Sequence, residues 1–185
     1  MMQEKTTEGR REEILQAAIA EFCSCGYEAV SMKKIAQSAG VGKSTIYEYF
    51  PSKEALLLEV GKNMAEKLEH GLCALMREDR CLREKLKRFF REFTGLADHV
   101  QYVFQSIVQS QEAQNELHAI FCQMRESIMK SIADAVRLAK ENGEVKKEVD
   151  DAALTHIILS VPCVVILNRM EDISTDFDKI LDIIL

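Results

Sequence analysis

Breakers are scarce in this chain of 185 residues, with two prolines and eight glycines. That scarcity excludes the turn-dense sandwiches and barrels, whose short strands need a turn signal every ten residues or so. Alternating apolar and polar runs are missing too, so no segment is expected to be a strand. The longest apolar stretch, "IILSVPCVVIL" at 157–167, is too short for a bilayer and contains Pro162, which excludes a spanning helix. The opening "MMQEKTTEGRREE" is charged where a secretory signal would be apolar, so a cytoplasmic protein with no membrane partner is expected. Six cysteines, Cys23, Cys25, Cys73, Cys81, Cys122 and Cys163, are then reduced thiols. Their spacings match no zinc site. Buried, inert thiols are the plain expectation, with Cys23 and Cys25 the pair to consider for redox sensing.

What is present is helix-forming. Apolar residues make up 47% of the chain, enough for a core, and Ala, Leu, Glu, Lys and Ile are abundant. Ile14, Leu15, Ala18, Ile19 and Phe22 stripe a helix from about Glu8 to Cys25, which Gly26 can end. Ser31 is placed to cap a short helix, "MKKIAQSA", with Ile35, Ala36 and Ala39 inward. A second short helix, "KSTIYEYF", buries Ile46 and Phe50 and stops at Pro51. Ser52 caps a longer helix reaching about Leu75. Further stripes follow at 82–96, at 100–108 and from about Asn115 to Asn142. Asp150 or Asp151 then opens a nearly all-apolar helix to about Met170, which Pro162 should kink, and 174–185 makes a last stripe. The basic run "LREKLKRFFR" at 82–91 is expected to be a solvated face.

Charge is unevenly spread. The net charge is −6, yet 31–53 holds Lys33, Lys34, Lys43 and Lys53 against Glu48 alone. Residues 54–185 carry 17 basic and 23 acidic groups. A small, locally basic segment on an acidic body permits a DNA-contacting module. Inside that segment, "GVGKST" at 40–45 has the look of a phosphate loop. Such a loop needs a glycine where Gln37 stands, and a strand leading in where the spacing is helical. Both requirements fail, so nucleotide hydrolysis is excluded and no catalytic residue is assigned.

Two short helices around a tight glycine turn, after a longer helix, make a helix-turn-helix unit. Together "ILQAAIAEF" (14–22), Gly26-Tyr27, the Ser31 cap, "IAQSAGV" (35–41), "TIYEYF" (45–50) and "PSKEALL" (51–57) resemble the DNA-binding module of the TetR family of bacterial transcriptional regulators. The rest of the chain is similar to that family in length and helix order only. The resemblance implies an all-α fold of about nine helices. A three-helix DNA-binding domain would occupy 1–53, and an effector-binding and dimerisation domain 54–185.

Lys43, Ser44 and Thr45 fill the first turn of the recognition helix, where ammonium, hydroxyls and N–H groups favour phosphate or base edges. By resemblance, Tyr47 and Tyr49 donate their hydroxyls to the DNA backbone, Lys53 clamps a phosphate, and Lys33 reaches base edges or phosphate; the alternatives are packing tyrosines and, for Lys33 with Lys34, a solvated helix face. Glu48 departs from this pattern: it could accept from a cytosine amino group or point away from the duplex. The implied partners are a double-stranded operator, a small-molecule effector and a second copy of the chain, paired through the last two helices. An all-round apolar 153–167 supports that pairing independently. Phe89, Phe93, Tyr102, Phe104, Phe121 and Met124 are candidates to line an effector pocket, each otherwise plain core. His70, His99, His118 and His156 fall on separate helices, so no metal and no cofactor are expected. The function implied is a ligand-responsive DNA-binding regulator, a repressor in the first instance. The alternative is a small-molecule- or metal-binding protein of the same fold without operator binding.

Overall fold

Side-chain caps and left-handed glycines set where the helices begin and end. The computed structural model describes residues 7–95, 111–168 and 181–182. Within them lie seven helices and no strand: α1 (Thr7–Cys25), α2 (Met32–Ser38), α3 (Lys43–Tyr49), α4 (Lys53–Met76), α5 (Leu82–Gly95), α6 (Gln111–Glu141) and α7 (Asp151–Asn168). The stripe expected at 100–108 lies outside the described residues. Of the last stripe only Leu181 and Asp182 lie within them, both helical, with Leu181 buried.

Ser31 Oγ accepts from Lys34 N at 3.2 Å, Ser52 Oγ from Ala55 N at 3.1 Å, and Asp150 Oδ1 from Ala153 N at 2.8 Å. Each satisfies a first-turn donor that would otherwise lack an acceptor. Gly26 (φ +78) and Gly143 (φ +79) follow α1 and α6 in the left-handed conformation that an L side chain strains to adopt. The third helix is shorter than its sequence pattern: Phe50 is not its last residue but its cap, with φ −136 and ψ 104. Pro51 is the cause, since the residue before a proline is pushed out of the helical region.

The packing divides the described chain into two units. The first contains α1, α2, α3, α4 as far as Met64, and α6 as far as Ile120. Ile14, Ala18 and Phe22 of α1, Ile35 of α2, Ile46 of α3 and Leu56 and Val60 of α4 are buried in it. The second contains α4 from Ala65, α5, α6 from Phe121, and α7. Its core gathers Leu72, Leu75, Leu86, Phe89, Ile128, Ile132, Val136, Leu154 and Ile158, with Leu181. Glu144, after α6, accepts from Leu82 N at 2.6 Å and so caps α5.

The basic run on α5 corrects the sequence reading. Lys85 is not solvated but buried, 5% exposed, as are Leu82, Leu86, Phe89 and Phe90. It stands three residues after Leu82 and four before Phe89, within the apolar stripe. Its methylene stem suits such a place, while Arg83, Glu84, Lys87 and Arg91 point outward or lie half-buried.

Candidate nucleic-acid interface

The turn between α2 and α3 contains Ala39, Gly40, Val41 and Gly42. Gly40 takes φ +67, and Val41 N donates back to Ala36 O at 2.9 Å, closing the corner. Ile46 and Phe50 anchor α3 inward at 0% and 2% exposure. Opposite them, Lys43, Ser44, Tyr47 and Glu48 face solvent, while Thr45 and Tyr49 are half-buried. Tyr47 is 44% exposed, one of three large apolar or aromatic side chains so open among the described residues. Gly42 is the N-cap of α3 and offers no side-chain acceptor, so the first-turn N–H groups carry no cap from it. Helix α2 leads into this turn in place of the strand that a nucleotide loop requires.

The two lysines of α2 separate clearly. Lys33 is exposed. Lys34 is occupied: its Nζ pairs with Glu21 at 2.7 Å and donates to Cys25 Sγ at 3.3 Å. Ser38 adds a donation to Glu21 at 2.5 Å, so one carboxylate of α1 gathers two side chains of α2. Lys34 first, then Ser38, hold the Glu21 carboxyl below its ordinary value. Hydrogen bonds from Ser24 and then Lys34 hold the exposed Cys25 thiol below its usual value. Burial pushes the neighbouring Cys23 thiol the other way. The two thiols therefore differ in environment.

Lys53, at the start of α4, has its ammonium 4.0 Å from the ring centroid of Tyr27. The Tyr27 hydroxyl donates to Glu54 at 3.2 Å, and burial followed by the Glu54 charge raises it to about 12. Arg11 reaches Glu59 and lies 5.4 Å from the Phe50 ring centroid, bracing the exit of α3 from the α1 side. The motif contains Glu21 and Tyr27 but assigns them no part, and Arg11 precedes it; their partners are distant in sequence.

The pocket candidates are dispersed. Phe89 is fully buried in the core of the second unit, its ring 5.6 Å from Phe90 and 5.8 Å from Phe93. Phe93 and Met124 pack partly buried against that core, and Phe121 is half-buried. Tyr102 and Phe104 lie outside the described residues, as does His99. Among the described residues no group of His, Cys, Asp and Glu is arranged to hold a metal ion. No described helix is long and apolar enough to cross a membrane.

Residues 14–60 match the family model for bacterial regulatory proteins of the tetR family. The chain is 33% identical over 90 residues to the transcriptional activator FasR of Mycolicibacterium smegmatis, covering 49% of this chain and 41% of that one. It is 49% identical over 49 residues to the transcriptional repressor KstR of the same species, covering 26% and 24% of the two chains. The chain thus spans less than half the length of either relative. The structure of the regulator FadR from Bacillus subtilis, in complex with stearoyl-CoA, has the same fold. Its TM-score is 0.65 at 21% identity, covering 92% of this chain and 95% of that one. The matched stretch runs from within α1 through α2 and α3 to the start of α4, and over it the chain matches the TetR family of bacterial regulatory proteins.

Proposed function

We propose that this chain is a homodimeric repressor of transcription that binds a near-palindromic operator and is released from it by a small apolar or amphipathic effector. One observation carries the reading. On α3, Lys43, Ser44 and Tyr47 form an exposed face, while Ile46 and Phe50 fix the opposite face in the core. A helix so held can enter a major groove with its N-terminal turn and read base edges there. Lys33 and Lys53, on the flanking helices, hold the duplex by its phosphates, with Thr45 and Tyr49 supporting them. The relative named KstR is a repressor, which supports repression as the outcome.

Residues 1–53 form the DNA-binding domain in this reading, and 54–185 the effector and dimer domain. The last two helices pair with their copies; Ile157 of α7, 47% exposed, is one side chain that such pairing would cover. The half-sites would lie about one helical turn, roughly 34 Å, or a multiple of it apart. An effector lodged near Phe93, Phe121 and Met124 needs a differential affinity of only a few kcal/mol between the two forms. The stearoyl-CoA bound by FadR is the kind of amphipathic molecule meant. The protein acts in the cytoplasm, without catalysis.

Selection of fragmented genomic DNA on the purified protein tests this directly, with a Lys43→Ala/Tyr47→Ala variant run in parallel. Enrichment of an inverted repeat by the parent alone is expected. A folded, dimeric parent that enriches nothing over the variant at low salt would contradict operator binding.

A further inference from the structure

The first unit holds an element that the helix-turn-helix pattern does not include: the opening turns of α6. Two contacts fasten it to α4. Leu117, 1% exposed, lies so close to Gly61 that a Cβ built there would stand 2.6 Å from Leu117 Cδ2. Real Cβ atoms do not approach so near, so the glycine forms a notch and Leu117 is the knob within it. The backbone of Gly61 lies in mid-helix, where glycine costs helix stability relative to alanine, so the close approach is the reason that position suits glycine. Beside it, Lys62 pairs with Glu116 at 2.7 Å and with Glu59 at 3.2 Å. Glu116 first raises the Lys62 ammonium above its ordinary value, and Glu59 adds to the effect.

The ionic chain continues inward. Glu59 also takes Arg11 of α1, and the Arg11 guanidinium lies over the ring of Phe50, the cap of α3. Glu116, Lys62, Glu59, Arg11 and Phe50 therefore form a continuous path from α6, across α4 and α1, to the end of the helix that would read DNA. Each exposed ion pair alone is weak. A shared network anchored at one end by a knob in a notch, and at the other by a fully buried aromatic ring, has fewer ways to shift independently.

We propose that Leu117 and Glu116 of α6 are positioning residues for α3, keyed by the Gly61 notch and the Lys62–Glu59–Arg11 chain, so that displacing the start of α6 changes operator affinity. This rests on the operator-binding reading above. It adds to that reading a named handle on the DNA-binding unit that lies outside the helix-turn-helix.

The test is a double-mutant cycle on the operator selected by the parent, with thermal melting measured alongside. Gly61→Ala should strike Leu117 and shift operator affinity about fivefold or more while the protein stays folded. In a Leu117→Ala background, where the Cδ atoms are gone, the same Gly61→Ala exchange should change affinity by less than about twofold. Gly61→Ala that lowers the melting point but leaves affinity unmoved would overturn the inference, as would equal effects in both backgrounds. Should Gly61→Ala fail to fold, the surface variant Glu116→Lys decides. It sets two ammonium groups together and should shift affinity about threefold at low salt, less at high salt; unchanged affinity would overturn the proposal. A parent that binds no DNA would bring down the operator reading itself, a result distinct from a parent that binds with an additive cycle.

Discussion

Gly42 shows how a single residue can be chosen for what it does not add. Its φ of −69 and ψ of 156 suit any amino acid, and a Cβ there would meet Thr45 Oγ1 at 3.6 Å and Ser44 Oγ at 3.8 Å, ordinary contact. Neither backbone nor space therefore demands glycine. An aspartate would accept from the first-turn N–H groups and suit the positive end of the helix dipole. It would also place a negative charge where the proposed phosphate approaches. Gly42→Asp is therefore expected to raise thermal stability by about 0.5 kcal/mol while weakening operator binding about tenfold. Melting and gel-shift titration check the two signs; affinity that rises or holds would count against a phosphate at this turn. The thiols make the same point about context. Cys23 and Cys25 sit two positions apart, yet Ser24 and Lys34 favour the thiolate of one and burial disfavours that of the other.

At the scale of elements, α5 offers the sharpest check on the packing. Lys85 is 5% exposed, has no ion-pair partner among the described residues, and shares its stripe with Leu82, Leu86 and Phe89. What is buried is the stem, since its ammonium is not among the buried polar atoms left without a partner, so a methionine of similar length keeps the same contacts. Lys85→Met is expected to leave stability within about 0.5 kcal/mol of the parent, whereas Lys85→Ala, which loses the stem, should cost about 1 kcal/mol, roughly 3 °C in melting temperature. A Lys85→Ala protein that melts with the parent would contradict a packed stem at this position.

Elements were legible in the sequence wherever the cause was local. The caps at Ser31, Ser52 and Asp150 and the left-handed Gly26, Gly40 and Gly143 act within four residues, and a pattern of one sequence can carry them. Lys85 was misread because its charge suggested water, while burial is decided by its place in the stripe. The tie between Glu21 and α2, the stacking of Lys53 on Tyr27 and the meeting of Gly61 with Leu117 were not legible at all. They join residues 13 to 56 positions apart, and only the folded chain brings them together. Of the candidate interface, the motif marked which residues of α3 to consider. It pointed to Lys33 of α2, but it did not reveal that the neighbouring Lys34 is engaged with Glu21.

For the whole molecule the governing fact is charge asymmetry. A net −6 concentrated beyond residue 53 repels DNA in general, while 31–53 carries a local excess of three positive charges. Such a molecule should meet a duplex in one orientation, with its basic segment forward, and its affinity should be steeply dependent on salt. The most direct measurement is the affinity of the parent for its selected inverted repeat across a range of salt concentrations, set beside Lys43→Ala. For a dimer that meets phosphates through Lys33, Lys43 and Lys53 of each subunit, a log–log slope of about −5 is expected, reduced by about two in the variant. A slope near zero, or one that Lys43→Ala leaves unchanged, would contradict a DNA interface built on the first turn of α3.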